Sequence, residues 1–260
     1  MYNLYMKDNQ VILGKWEDLI SGVPDGFVDL IHTDPPYGST PKRWDKRPYW
    51  KAFLEELTRV SSPSGQLWIY VRMPWAIEVY TAATDCGWKY KQEVIWEKQN
   101  AGGCTVGTFR KVHENLWHFV KPGASTFNLD AIKEFKKTSG DKSVKSRCSS
   151  DTQFMGTKNS AYKDDGTRFP RSVQHIRNVH RTSEATGHPT QKPLRLTDKV
   201  ILYSSNPGDL VFDPYCGSGT SLVSAAIHGR RYLGIDREEE HVARALARLE
   251  EVSSGLLLPS

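Results

Sequence analysis

The stretch VDLIHTDPPYGST, Val28 to Thr40, decides the fold. Its apolar run, Val28, Leu30 and Ile31, stops at an acid, Asp34, and Pro35, Pro36 and Tyr37 follow at once. Proline cannot donate to a strand ladder, and it drives the residue before it away from helix. Asp34-Pro35-Pro36-Tyr37 is therefore expected as a stiff, extended exit from a buried strand. It would hold one carboxylate and one aromatic ring at a fixed place on the sheet edge.

On either side of this stretch the pattern alternates. QVILG (10–14) reads as a short strand and WEDLISGVPDG as a helix-and-turn crossover. YWKAFLEELTRV (49–60) carries Phe53, Leu54, Leu57 and Val60 at helical spacing, and SSPSG turns the chain into a strand, QLWIYV (66–71). PWAIEVYTAATDCG reads as a helix with a glycine stop, and QEVIW and NLWHFV as strands. Strands alternating with helices predict an α/β fold, a mostly parallel sheet covered on both faces. From 98 to 187 aliphatic residues thin out and Ser, Thr, Lys, Arg, Gly and Asn dominate, a stretch too long and irregular for a simple connection. The α/β pattern then resumes. LRLTDKVILYSS is helical, GDLVFD a strand, TSLVSAAIHG a helix, RRYLGID a strand and REEEHVARALARLE a helix, and 253–260 reads as a loosely held tail.

Totals narrow the class. A chain of 260 residues with 38% hydrophobic and 25% charged content suits one large globular α/β domain or a core with an insertion. No run of about 18 apolar residues occurs, so no membrane helix is expected, and the first ten residues lack a secretory layout. Cys86, Cys104, Cys148 and Cys216 are scattered without a CxxC pair, which disfavours a disulfide framework or a metal site and suits a reducing cytoplasm. The net charge of +5 is compatible with a nucleic-acid partner. KEFKKTSGDKSVKSR, Lys133 to Arg147, concentrates it: Lys133, Lys136, Lys137, Lys142, Lys145 and Arg147 stand among Gly and Ser, as in a solvated loop or a phosphate-binding surface.

GDLVFDPYCGSGTSLVSAA is the second informative segment. A strand ends at Asp213, a turn of Gly217, Ser218 and Gly219 follows, and Thr220 opens a helix. Glycines let backbone approach a ligand, and a helix start offers N–H groups. The turn lacks the Lys of a phosphate loop and the spacing of a dinucleotide site. The next strand ends in Asp236, placed to accept two ribose hydroxyls. With no pyrophosphate signature, the ligand expected is a nucleoside with a short zwitterionic tail, a description that S-adenosylmethionine meets. Singly, each residue has a structural explanation: a tight connection, a turn acid, or a cap for a helix beginning at Arg237. Together, two strand-end acids beside Gly- or Pro-built turns mark the carboxyl ends of parallel strands, where α/β sheets bind ligands.

TDPPYGST and FDPYCGSGTSLVSAAIHGRRYLGID resemble the catalytic and cofactor motifs of the DNA amino-methyltransferases, which methylate exocyclic amines from S-adenosylmethionine. The catalytic motif comes first and the cofactor motif last, as in the β group of that family. The resemblance implies a Rossmann-like methyltransferase fold with circularly permuted motif order and an irregular target-recognition insertion. It implies a catalytic half at 1–97, late sheet strands with the recognition region at 98–187, and a cofactor half at 188–252. HPTQKPLRL (188–196) matches the segment that helps hold the methionine end of the cofactor, which makes Thr190 and Lys192 cofactor residues. They join Asp34, Asp213, Tyr215, Gly217, Ser218, Gly219, Thr220 and Asp236. The strand before the catalytic one commonly ends in an acid near the cofactor adenine. Here Lys15 and Trp16 stand there, so Trp16 stacking, or Glu17 or Asp18 substituting, is expected.

The same resemblance implies a catalytic set of Asp34, Pro35, Pro36 and Tyr37 acting on a base flipped out of duplex DNA. The Asp34 carboxylate and the Pro35 carbonyl would accept the two amine N–H groups, and Tyr37 would stack on the base. Lys133 to Arg147 with Arg168, Arg171 and Arg177 would contact DNA. No metal is implied, and Cys216 reads as small packing. A homodimer and a bacterial or phage-like, DNA-associated cytoplasmic setting are further implications. Asp at the first motif position leans towards adenine-N6 over cytosine-N4. An RNA substrate and a binding-only relative are the more distant readings.

Overall fold

The computed structural model describes residues 7–38, 45–99, 106–124, 126–135, 167–180 and 182–256. The apolar run 28–33 forms a strand buried along most of its length, which only a central position in a two-faced sheet allows. In chain order the strands are β1 (Gln10–Leu13), β2 (Val28–Thr33), β3 (Ser61–Val71), β4 (Lys89–Glu97), β5 (His113–Val120), β6 (Glu134–Phe135), β7 (Thr167–Arg168), β8 (Val173–His175), β9 (Leu210–Asp213) and β10 (Arg231–Asp236). The helices are α1 (Trp16–Leu19), α2 (Trp50–Val60), α3 (Ala76–Asp85), α4 (Leu194–Ser204), α5 (Thr220–Ile227) and α6 (Glu239–Ser253).

Eight strands make one sheet in the order β1-β10-β9-β2-β3-β5-β4-β8, and β6 pairs with β7 apart from it. Strands β1, β10, β9, β2 and β3 are mutually parallel. The strand β5 enters antiparallel between β3 and β4, and β8 lies parallel to β4 at the edge. The expected mostly parallel, two-faced α/β sheet is therefore present. Its strand order brings β9 beside β2 although their residues lie far apart in the chain.

Alternation along the strands sorts two cores. Val28, Ile31, Leu67, Ile69, Phe212 and Ile235 face α2 and α3 through Phe53, Leu54, Leu57 and Val79. Leu30, Trp68, Tyr70 and Val211 face α4 and α5 through Leu196, Val200, Ile201 and Ala225. Burying each such side chain contributes about 1.5–3 kcal/mol. Phe53 meets Trp16 edge-on at 4.9 Å and Tyr215 at 5.6 Å, so this core continues to the site.

Two boundaries differ from the sequence reading. SSPSG, expected as a turn, is taken into β3, whose register against β2 jumps from Val28–Ser61 to Leu30–Gln66. Pro63 and Ser64 are exposed at this irregularity, where a missing proline N–H leaves no ladder bond broken. The last helix starts at Glu239 instead of Arg237, because Asp236 Oδ1 accepts the Glu238 N–H at 2.9 Å and holds that residue outside the helix.

Candidate active site

The parallel register of β2, β9 and β10 carries Thr33, Asp213 and Asp236 to one edge of the sheet. The Pro-Pro exit and the Gly-Ser-Gly turn are thus side by side, at the carboxyl ends where α/β sheets bind ligands. A cavity of about 860 Å³ opens between them. Asp34, Pro35, Pro36 and Tyr37 line it together with Asp213, Tyr215, Gly217, Ser218, Thr220 and Asp236, and with Thr190 and Lys192. Gly219, also expected there, lies behind the wall against Ala245 of α6.

Neighbours fix the Pro-Pro exit. The backbone N–H groups of Tyr37 and Gly38 donate to Asp45 Oδ1 at 3.0 and 2.9 Å, and Asp45 is buried. The Tyr37 hydroxyl donates to Asp34 Oδ1 at 2.9 Å. The other oxygen, Oδ2, accepts from Lys192 Nζ. Lys192 Nζ also lies 3.1 Å from Glu114 Oε2 and 4.6 Å from the centre of the Tyr70 ring, while Glu114 Oε1 accepts from Lys98 Nζ. Four charges alternate in sign along this row. Burial opposes the charge on Lys192, but the Asp34 and Glu114 carboxylates outweigh it and hold the ammonium above its usual pKa. Burial raises Glu114, yet Lys192 and Lys98 pull it down to about 2. Asp34 stays above the usual carboxylate range through burial, with Lys192 opposing and Glu114 adding to the rise.

A second polar chain also lines the cavity. His32 Nδ1 and Ser221 Oγ share a hydrogen bond of 2.9 Å, and Ser221 donates to Asp213 Oδ2 at 2.7 Å. Burial lifts Asp213 to about 7 and, with Lys192 nearby, lowers His32 to about 3.

The Gly-rich turn is closed from within. Gly217, with φ of +51°, gives its N–H to Asp236 Oδ2 at 2.9 Å, and the Gly219 N–H goes to the Cys216 carbonyl at 2.7 Å. Asp236 therefore both shapes the turn and lines the cavity, and although burial raises its pKa, His241 and the backbone N–H groups of Glu238 and Gly217 lower it overall. Buried Arg248 of α6 donates to the Ser218 carbonyl at 2.9 Å and to Thr220 Oγ1 at 3.0 Å, which pins the turn from behind. Cys216 is buried in the turn, and burial pushes its thiol well up.

At the place of the usual acid, Lys15 precedes α1 and Trp16 is buried edge-on to Phe53 while still lining the cavity. Glu17 and Asp18 are exposed and also line the cavity. Lys136, Lys137, Lys142, Lys145 and Arg147 fall outside the described residues. Lys133 pairs with Asp130 at 2.8 Å, and Arg168 is in β7. Arg171 and Arg177 are exposed, and Arg177 donates to Gln99 at 2.9 Å just beyond β8. Because β8 is parallel to β4, Arg177 sits at the same end of the sheet as Asp34. Among the described residues no group of His, Cys, Asp or Glu is arranged to hold a metal, and no helix is long and apolar enough to cross a membrane.

Sequence reading missed Asp45, Lys98, Glu114, Ser221 and Arg248. Glu114 stands at the start of a strand read as beginning at Asn115, and no local spacing links it to Lys192. His32 did carry a signal, as a polar residue inside an apolar run.

The chain matches the DNA methylase family of N6 and N4 methyltransferases over residues 28–247. It is 29% identical over 259 residues to the Type II methyltransferase M.HpaI of Haemophilus parainfluenzae, covering 95% of this chain and 76% of that protein. The crystal structure of the M1.HpyAVI–SAM complex aligns with a TM-score of 0.65 at 23% identity, covering 92% of this chain and 98% of that one. The cytosine-N4-specific PvuII DNA methyltransferase aligns with a TM-score of 0.67 at 16% identity, covering 97% and 92% respectively. The structural likenesses speak for the fold, and the family match takes in both corners of the cavity. This chain belongs to the N6/N4 DNA methylases, methyltransferases that use S-adenosylmethionine.

Proposed function

We propose that this chain methylates the exocyclic N6 amine of adenine in duplex DNA, at a specific sequence. The observation that carries the reading is Asp34, held by Tyr37 and Lys192 in a cavity that the glycine turn and Asp236 also line. That lining suits a nucleoside with a zwitterionic tail. Asp236 offers carboxylate oxygens to ribose hydroxyls, the apolar faces of Trp16 and Tyr215 suit a purine, and Ser218, Thr220 and Thr190 offer polar groups for the tail. S-adenosylmethionine supplies an electrophilic methyl group when bound.

The rest of the chemistry belongs to this chain. The target amine is a poor nucleophile, since its lone pair is delocalised into the ring. The Asp34 carboxylate and the Pro35 carbonyl accept its two N–H groups and favour the tetrahedral geometry that attack requires. Tyr37 stacks on the flipped base, which offsets part of the few kcal/mol that unstacking costs. Asp34, raised by burial, then takes the proton that the methylated amine releases. Arg171 and Arg177, with the basic stretch 133–147, hold backbone phosphates. A protective role opposite a restriction enzyme follows from relatives such as the Type II methyltransferase M.HpaI.

Cytosine-N4 is the second reading, favoured by the fold shared with the cytosine-N4-specific PvuII enzyme. The test is incubation of the protein with unmethylated duplex DNA and S-adenosylmethionine, followed by nucleoside mass spectrometry. N6-methyladenine is the expected product. N4-methylcytosine would transfer the proposal to the second reading, and no methylated nucleoside would overturn both.

A further inference from the structure

We propose that Glu114 is a positioning residue that acts through Lys192 to set the orientation and basicity of Asp34. The inference rests on the methyl-transfer reading and extends it to residues outside the Pro-Pro motif. Lys192 is buried, and its ammonium has three polar directions to satisfy. It donates to Asp34 Oδ2 and to the Thr190 carbonyl at 3.4 Å, and it forms an ion pair with Glu114 Oε2 at 3.1 Å, with the Tyr70 ring beneath. Glu114 is held in turn by Lys98. The four residues come from four parts of the chain: the exit of β2, the end of β4, the start of β5 and the approach to α4.

Sharing is the functional point. An ammonium bound to Asp34 alone would drain negative charge from the carboxylate and weaken it as an acceptor for an amine. A second half-buried carboxylate on the other side of the ammonium draws the cation back and restores that strength. The groups that face Asp34 are Lys192, Glu114 of β5, Tyr37 on its own turn, Asp213 of β9 and Tyr70 of β3, while His32 of β2 faces Lys192. Among these, Lys192 is the cation in contact with Asp34 from outside the motif, and Glu114 is the carboxylate that shares it. Lys98 tunes the pair from its far end.

The test is the pH profile of kcat for methyl transfer, with S-adenosylmethionine affinity measured by calorimetry alongside. Glu114→Gln leaves Lys192 to Asp34, so the acid limb should move down by about one pH unit and kcat should fall about ten-fold or more. Cofactor affinity should stay within about two-fold, and Glu114→Asp should recover part of the loss. Lys98→Met frees Glu114 to draw harder on Lys192 and should move the limb the opposite way, an arm that survives if Glu114→Gln does not fold. An acid limb that stays in place in Lys98→Met and in every folded Glu114 variant would overturn the inference while leaving the methyl-transfer reading intact. A wild-type protein that binds cofactor but methylates no DNA would remove that reading and the inference together.

Discussion

The Tyr37 hydroxyl donates to Asp34 Oδ1 at 2.9 Å, so the ring assigned to the flipped base is tied to the carboxylate assigned to its amine. Asp34→Ala should lower methyl transfer by at least about 100-fold, because an acceptor that acts on the transition state is lost. S-adenosylmethionine affinity should change little. Tyr37→Ala should also raise the KM for DNA about ten-fold, since stacking contributes about 1–3 kcal/mol per base, while Tyr37→Phe keeps the ring and should lose less. Single-turnover methylation and calorimetry separate these effects, and full turnover by Asp34→Ala would remove that residue from the chemistry.

Gly219 has φ of +77°, and a Cβ there would lie 2.7 Å from Ala245 Cβ and 3.0 Å from Ala245 Cα. Gly219→Ala therefore strains the turn and pushes α6 back, at a cost of about 1–3 kcal/mol. Because Arg248 of the same helix holds Ser218 and Thr220, cofactor affinity should fall with stability. Urea unfolding and calorimetry read the two losses, and an unchanged midpoint would contradict the packing described.

His118 stacks on Trp68 at 4.1 Å, and burial with Lys91 nearby lowers it to about 3. The folded protein thus refuses a proton that the unfolded chain binds near pH 6.5. The stability that His118 contributes is complete above that pH and is lost as pH falls towards 3. Unfolding free energy measured between about pH 6 and pH 4 should show His118→Gln with a slope flatter than wild type by roughly 1.4 kcal/mol per pH unit. Parallel slopes would mean that the imidazole titrates alike in both states.

Arg171 and Arg177 are exposed on either side of β8, the first before it and the second after it. Replacing both with alanine should reduce the slope of log K against log salt for duplex DNA by about 1–2, since each phosphate neutralised contributes about 0.9. Fluorescence anisotropy over a salt series measures it. A slope equal to wild type would place the phosphates elsewhere.

Much of this protein was legible in one dimension. An apolar run that ends in Asp-Pro-Pro-Tyr and another that ends in Asp before Gly-Ser-Gly are local statements. Proline stiffness, glycine freedom and strand burial act between neighbours in the chain, so the two corners, their acids and the parallel sheet followed from the sequence by itself. Tertiary structure decided what no spacing encodes. Glu114 meets Lys192, Ser221 meets His32, and Arg248 reaches the turn only because strand order and helix packing set them side by side. Each of these is a buried or half-buried polar contact, and partial exclusion of water strengthens its electrostatics. A sequence lists the charges, and the fold sets the dielectric and the distances between them.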